Sequence, residues 1–171
     1  MSSSSISVRL EKADDFTTIE TLTATVFGPA MLTRAAYALR EGVPHESSLS
    51  FVAEQAGEII GSVRLTKIMW GNTPALMLGP LGVLRKYKSQ GTGKALMVAA
   101  VEAAKNESQS GGPAVIVLVG DYDYYAPFGF KSIPNGQISM PRPADPNRML
   151  VYELVEGSLL KFYGPANRFV G

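Results

Sequence analysis

Between Ala75 and Val119 the sequence sets an apolar strand, a cationic glycine-bearing turn, an apolar helix and a second apolar strand in direct succession. This order restricts the fold more than any other feature of the chain. Thr92 to Ser108 places Leu96, Met97, Ala100, Val101 and Ala104 on one broad face, with Glu102, Lys105 and Asn106 opposite, so the helix must pack on a sheet. Gly111-Gly112-Pro113 closes the connection. Ala114 to Val119 is continuously apolar, which predicts a strand buried on both faces. A strand–helix–strand unit of this kind closes as a right-handed parallel crossover. The fold class that follows is mixed α/β, with helices flanking a central sheet.

The flanking segments extend that sheet. Ile6 to Leu10 alternates as a first strand, and Asp14 or Asp15 is placed to cap a helix carrying Phe16, Ile19, Leu22 and Val26 up to Gly28-Pro29. A shorter helix is predicted over Thr33 to Arg40, terminated by Gly42. Leu49 to Glu54 and Ile59 to Met69 form an antiparallel hairpin through Gln55-Ala56-Gly57-Glu58. In its second strand Ile59, Gly61, Val63 and Leu65 share a packed face, while Ser62, Arg64 and Thr66 face ligand or water. Pro80 removes a ladder donor from the next strand, so a bulge is expected at Pro80-Leu81. After the aromatic stretch Tyr122 to Phe130, strands are expected near Ile133 to Met140 and Met149 to Val155. With no internal repeat or long linker, residues 1–171 read as one domain.

Composition narrows the chemistry. Sixteen Lys and Arg against fifteen Asp and Glu leave a net charge of +1, which gives no overall basic field for nucleic acid or an anionic membrane. The absence of Cys excludes a disulfide frame, a zinc–thiolate cluster and a thiolate nucleophile, and a single His leaves no metal expected. Met1 to Ser5 is polar and no run approaches the ~18 apolar residues of a membrane span, so a cytoplasmic location is the default.

The turn itself reads Lys88-Ser89-Gln90-Gly91-Thr92-Gly93-Lys94-Ala95. Unsatisfied N–H groups in a first helical turn and the positive end of its dipole attract phosphate, and glycines let a ligand approach the backbone. Arg85, Lys86, Lys88 and Lys94 surround the site with positive charge. The alternative is that two glycines only shape a strand-to-helix turn. A P-loop needs Gly where Lys88 stands and Ser or Thr where Ala95 stands, so that motif and a nucleotide kinase fail at two positions. A dinucleotide fingerprint lacks its third small residue, at Leu96. What remains is a Gln/Arg-x-x-Gly-x-Gly/Ala pattern, here Lys-Ser-Gln-Gly-Thr-Gly with Lys88 as the departure, and it resembles the GNAT superfamily of acyl-CoA-dependent N-acyltransferases. Tyr125-Ala126-Pro127-Phe128-Gly129-Phe130 is similar to the Tyr-x-x-x-Gly-Phe stretch of the same superfamily, and Leu78 to Val83 resembles its bulged fourth strand. From Leu49 to Phe130 the chain resembles a bacterial subgroup, mostly without assigned substrates.

The resemblance implies a mostly antiparallel sheet of about six to seven strands, splayed between the fourth and fifth, with acetyl-CoA in the opening as co-substrate. Carried over by residue, the backbone of Leu81, Gly82 and Val83 would meet pantetheine, and the Leu81 N–H would serve as an oxyanion-type donor. Lys88, Ser89, Gln90, Gly91, Thr92, Gly93 and Lys94 would hold pyrophosphate, with Asp121, Tyr124 and Phe128 completing the cofactor site. Tyr125 is the candidate general acid, since a phenol with a reference pKa of ~10 is protonated at neutral pH. The general base is open. Strand four carries no carboxylate, leaving Glu54, or Asp121 if it does not simply cap the helix that follows it. Glu54 and Arg64 are also candidates for substrate contact, and His45 reads as a surface residue. Gly28 to Arg34 and Pro141 to Arg148 are expected to wall the pocket of a small-molecule or peptide amine. A noncatalytic acyl-CoA-binding domain is the alternative function. Apolar residues from Met149 to Val155, with Leu159, Leu160, Phe162 and Tyr163, suggest a homodimer.

Overall fold

The computed structural model describes residues 5–170; of the polar N-terminal stretch, residues 1–4 lie outside it. The strands are β1 (Ser7–Leu10), β2 (Phe51–Gln55), β3 (Glu58–Trp70), β4 (Thr73–Val83), β5 (Val115–Val119), β6 (Lys131–Ser132), β7 (Ile138–Ser139), β8 (Met149–Glu153) and β9 (Gly164–Arg168). The α-helices are α1 (Phe16–Phe27), α2 (Ala35–Arg40), α3 (Thr92–Gln109) and α4 (Tyr122–Tyr125). Strands run β1-β2-β3-β4-β5-β8-β6 across the sheet, with β9 against the far end of β3 and β7 against β9. Seven strands on the main path match the expected number, and the mostly antiparallel pattern is interrupted by the parallel pair β4–β5 across the α3 crossover.

Each face of the sheet has its own core. Leu96, Met97, Ala100 and Ala104 of α3 pack on Ile60, Val63, Leu65, Ile116 and Leu118. The opposite face joins Ile68, Trp70, Val115, Val117 and Val151 to Leu39 of α2 and to Phe162. The alternation of Ile116 and Leu118 with Val115 and Val117 explains why β5 reads as a continuous apolar run. Two glycines let the layers close. A Cβ on Gly61 would lie 3.1 Å from Leu96, and one on Gly82 would lie 3.2 Å from the Phe27 ring of α1.

Several local readings change in three dimensions. Ser62 and Thr66 are buried, because α1 covers the face expected to meet ligand or water. Arg64 is consumed by Glu11 at 2.8 Å and Glu20 at 2.9 Å, and its guanidinium lies over the Phe16 ring. His45 is not a free surface residue; its Nε2 lies 3.0 Å from Glu11. Asp15 does not cap α1 with its side chain but grips Arg9 and the Lys12 N–H. Ile133 to Met140 shrinks to the two-residue β7, since Pro134 lacks a donor and Gly136 (φ 86) turns the chain so that the Gln137 N–H reaches the Pro134 carbonyl. The C-terminal apolar residues divide. Leu159 and Phe162 are buried, the latter 5.2 Å from the Trp70 ring, whereas Leu160 and Tyr163 stay exposed. No helix among the described residues is long and apolar enough to cross a membrane.

Candidate active site

The sheet opens where β4 and β5 part. Only Leu76 with Ile116 and Met77 with Val117 are paired; beyond Met77, β4 continues against β3 alone. The break coincides with a bulge. Val63 pairs with Leu81 but Leu65 pairs with Leu78, so β4 carries one extra residue around Gly79 (φ 137) and Pro80, one position earlier than expected. The Leu84 N–H donates to the Ile60 carbonyl of β3 at 2.9 Å. Backbone groups alternate along a strand, so the N–H groups of Leu81 and Val83 turn away from β3, toward the opened side.

A cavity of about 1070 Å³ fills this opening and reaches the start of α3. Leu81 and Val83 line it on the strand side, Lys88, Ser89 and Gly91 to Lys94 on the loop side, and Tyr124, Tyr125 and Phe128 on the aromatic side. Ser89 (φ 67) and Gly91 (φ 84) both take left-handed backbone to make the turn. The first internal bond of α3 runs from the Ala95 N–H to the Gly91 carbonyl, so the N–H groups of Thr92, Gly93 and Lys94 have no helical acceptor, and no side chain caps them. Gly91 has open space around its Cα. A Cβ on Gly93, in contrast, would lie 2.6 Å from the Tyr124 hydroxyl. These residues fit an anionic, strand-like ligand: free amides and cations at one end, and an unpaired strand edge at the other.

A second cavity of about 580 Å³ lies beside α2 and shares Phe27, Leu81, Tyr124 and Tyr125 with the first. Met31, Arg34, Pro143 to Asp145 and Arg148 line it, so the two segments expected to wall an acceptor pocket do converge. Arg142 fastens them by donating to the Leu32 carbonyl. Asp121 opens into this second cavity rather than the first, and its carboxylate makes no capping bond to α4.

Tyr125 stands between the two. Its ring packs edge-on to Tyr124 at 4.8 Å and to Phe130 at 5.9 Å, and Gly120 admits it, since a Cβ there would meet the ring at 2.5 Å. Burial pushes its phenol up to about 12, with Tyr124 and Asp121 in the same direction and Arg148 opposing. Tyr124 is raised by burial as well.

Gln90 is exposed and lies outside the residues that line the first cavity, and Gly82 is buried beneath Phe27. Glu54 lines neither cavity; its carboxylate pairs with Arg9 at 2.6 Å on the β1–β2 edge. Phe27, Tyr87 and Arg40 contribute to the cavities without having been singled out as site residues by sequence, whereas Arg148 belongs to a segment expected there. Arg40 closes a helix and reads there as a dipole partner, so it carries no local signal of a site.

The profile described as Acetyltransferase (GNAT) family matches residues 15–130. The chain belongs to the GNAT acetyltransferase family. No curated protein matches the sequence. Among solved structures, the GNAT N-acetyltransferase YhbS of Escherichia coli, in complex with CoA, superposes with a TM-score of 0.80 at 22% identity, over 99% of this chain and 92% of that one. A GNAT acetyltransferase of Brucella melitensis, in complex with acetyl-CoA, gives 0.56 at 26% identity over 87% and 96%. The ribosomal-protein-S18-alanine N-acetyltransferase of Escherichia coli gives 0.59 at 13% over 88% and 94%. The GNAT match ends at Phe130, so β8 and β9 lie beyond it.

Proposed function

We propose that this GNAT domain moves an acetyl group from acetyl-CoA to a primary amine by direct transfer, with both substrates bound at once. One observation carries the reading: two cavities of different character meet at Leu81, Tyr124 and Tyr125, where the sheet splays. Bound acetyl-CoA supplies an acyl thioester, and the chain supplies the rest. The Thr92, Gly93 and Lys94 amides, with Lys88 and Lys94, hold pyrophosphate at the head of α3. Leu81 and Val83 offer strand-type hydrogen bonds to pantetheine, and the Leu81 N–H stabilises charge that grows on the thioester oxygen as the amine attacks. The amine nitrogen bonds to the acyl carbon as the carbon–sulfur bond breaks, and Tyr125 passes its proton to the departing thiolate. Asp121, on the acceptor side, receives the proton that the amine gives up. Glu54, tied to Arg9 away from both cavities, has no part in this.

The noncatalytic alternative predicts cofactor binding without turnover. Purified protein incubated with acetyl-CoA and an amine panel is expected to release free thiol, and CoA is expected to raise the melting temperature more than NAD or ATP, which lack the pantetheine arm. Equal stabilisation by all three would overturn the cofactor assignment; binding without thiol release on any amine would favour the noncatalytic reading.

A further inference from the structure

The wall of the second cavity holds a cation that the fold leaves uncompensated. Elsewhere each well-packed arginine has a carboxylate: Arg9 has Asp15 and Glu54, and Arg64 has Glu11 and Glu20. Arg40, half-buried at the end of α2, makes no ion pair and no side-chain hydrogen bond among the described residues. Its Nη1 lies 2.8 Å from where a Cβ on Gly79 would sit, so the guanidinium is pressed against the bulge that opens the sheet. Burial pulls its pKa down to about 10, against an upward effect of Tyr37 and with lesser repulsion from Arg34 and Arg64. Arg34 and Arg148 line the same cavity. Of the two carboxylates there, Asp145 is engaged by the Asn147 N–H, which leaves Asp121 beside Tyr125.

A desolvated guanidinium without a partner is costly, and its planar fork matches a carboxylate or phosphate. We propose that the second cavity selects an acceptor carrying an anionic group beside its amine, the anion held by Arg40 with Arg34 and Arg148 and the amine presented between Asp121 and Leu81. The inference rests on the acetyl-transfer reading and adds the acceptor's class. Gly79 precedes Leu81 by two residues, roughly 7 Å of extended chain at most, so anion and amine are separated by few bonds. This fits a compact amino acid or aminoalkyl phosphate and disfavours a polyamine.

The test measures thiol release by the full chain with acetyl-CoA and matched acceptors: α-amino acids, their carboxamides, the decarboxylated amines, and aminoalkyl phosphates. Anionic acceptors are expected to exceed their neutral counterparts by roughly 10–100-fold in kcat/KM, the worth of a charge-assisted hydrogen bond. The ordering of carboxylates and phosphates then identifies which anion is used. Arg40→Gln should bring the ratio close to one and Arg40→Lys should leave an intermediate ratio. Should Arg40→Gln fail to fold, Arg148→Gln must lower the same ratio. Equal or better turnover of carboxamides, decarboxylated amines or polyamines would overturn the inference while leaving acetyl transfer intact. If no amine is turned over, melting of the CoA-saturated protein with N-acetyl amino acids against their carboxamides decides. A carboxylate-specific rise that Arg40→Gln abolishes would support the anion site although the transfer reading fails, and no difference would overturn both.

Discussion

At Tyr125 burial keeps the phenol protonated, the state that the proposed proton donor needs. An acid whose pKa is raised to about 12 keeps its proton further into alkaline pH than a free phenol at ~10, so the competent form persists across the whole working range. Tyr125→Phe removes the hydroxyl and preserves the ring contacts with Tyr124 and Phe130, so CoA-induced stabilisation should change little while turnover falls by something like 10²–10⁴-fold. Tyr124→Phe should be milder. Turnover of Tyr125→Phe within about threefold of the parent at saturating acetyl-CoA would remove the assignment, whereas an alkaline limb near pH 9 that the substitution abolishes would keep the role and contradict the raised pKa. The two loop glycines fail for different reasons when replaced. Gly91 has space but φ 84, so Gly91→Ala should cost about 1 kcal/mol of stability. At Gly93 a methyl meets only the tip of Tyr124, a side chain that can swing, so Gly93→Ala should melt near the parent yet show a smaller CoA-induced rise, read by thermal denaturation. A large stability loss at Gly93 with full CoA response would contradict that account.

Between elements, the N-terminal strand is joined to the hairpin and to α1 by charge. Arg9 of β1 reaches Asp15 at 2.7 Å ahead of α1 and Glu54 of β2 at 2.6 Å. The hydrogen bond from Arg9 holds the Asp15 carboxyl down to about 2, against its burial and with help from the Lys12 N–H. A depressed folded pKa stabilises the fold above the unfolded value near 3.9, and that contribution disappears as pH falls through about 2. Asp15→Asn should therefore lower the melting temperature at pH 7, by an amount equivalent to about 1–3 kcal/mol for a charged hydrogen bond, and the gap to the parent should shrink steadily between pH 4 and pH 2. A gap independent of pH would show that the residue acts through packing alone. Sequence spacing announces elements like these but not their partners. The strand–loop–helix–strand unit from Ala75 to Val119 was legible because period, glycines and the apolar run of β5 agree. The C-terminal β9 was not: Gly164-Pro165 reads as a break, and the strand exists because β3 outlasts its pairing with β2 and offers Ile68 to Trp70 to it. Glu54 and Arg64 looked free for the same reason, since their partners Arg9, Glu11 and Glu20 lie more than forty residues away in sequence.

In the whole molecule the sheet acts as a partition with a single gap. The larger cavity lies beside α3 and the smaller beside α2, and they share only Phe27, Leu81, Tyr124 and Tyr125, at the point where β4 leaves β5. The cofactor half was readable from the glycine loop and the Tyr-x-x-x-Gly-Phe stretch because each is local. The proposed acceptor half was readable only in part: Gly28 to Arg34 and Pro141 to Arg148 were expected to wall it and do converge, but nothing in their spacing connects them to Arg40 or to the Gly79 bulge. The proposed direct transfer also implies a kinetic pattern that can be tested. On the proposed reading each ligand has its own chamber, so neither needs to leave before the other enters. The chain contains no Cys to accept the acyl group as a thioester in between. Initial rates at varied acetyl-CoA and amine should then give intersecting double-reciprocal lines, and mass spectrometry of protein held with acetyl-CoA alone should show no added acetyl group. CoA should compete with acetyl-CoA, because the proposal seats both in the larger cavity, while the N-acetylated product should compete with the amine. Parallel lines together with a stable acetylated protein would mean that one chamber serves both half-reactions, which contradicts two cavities meeting across Tyr125.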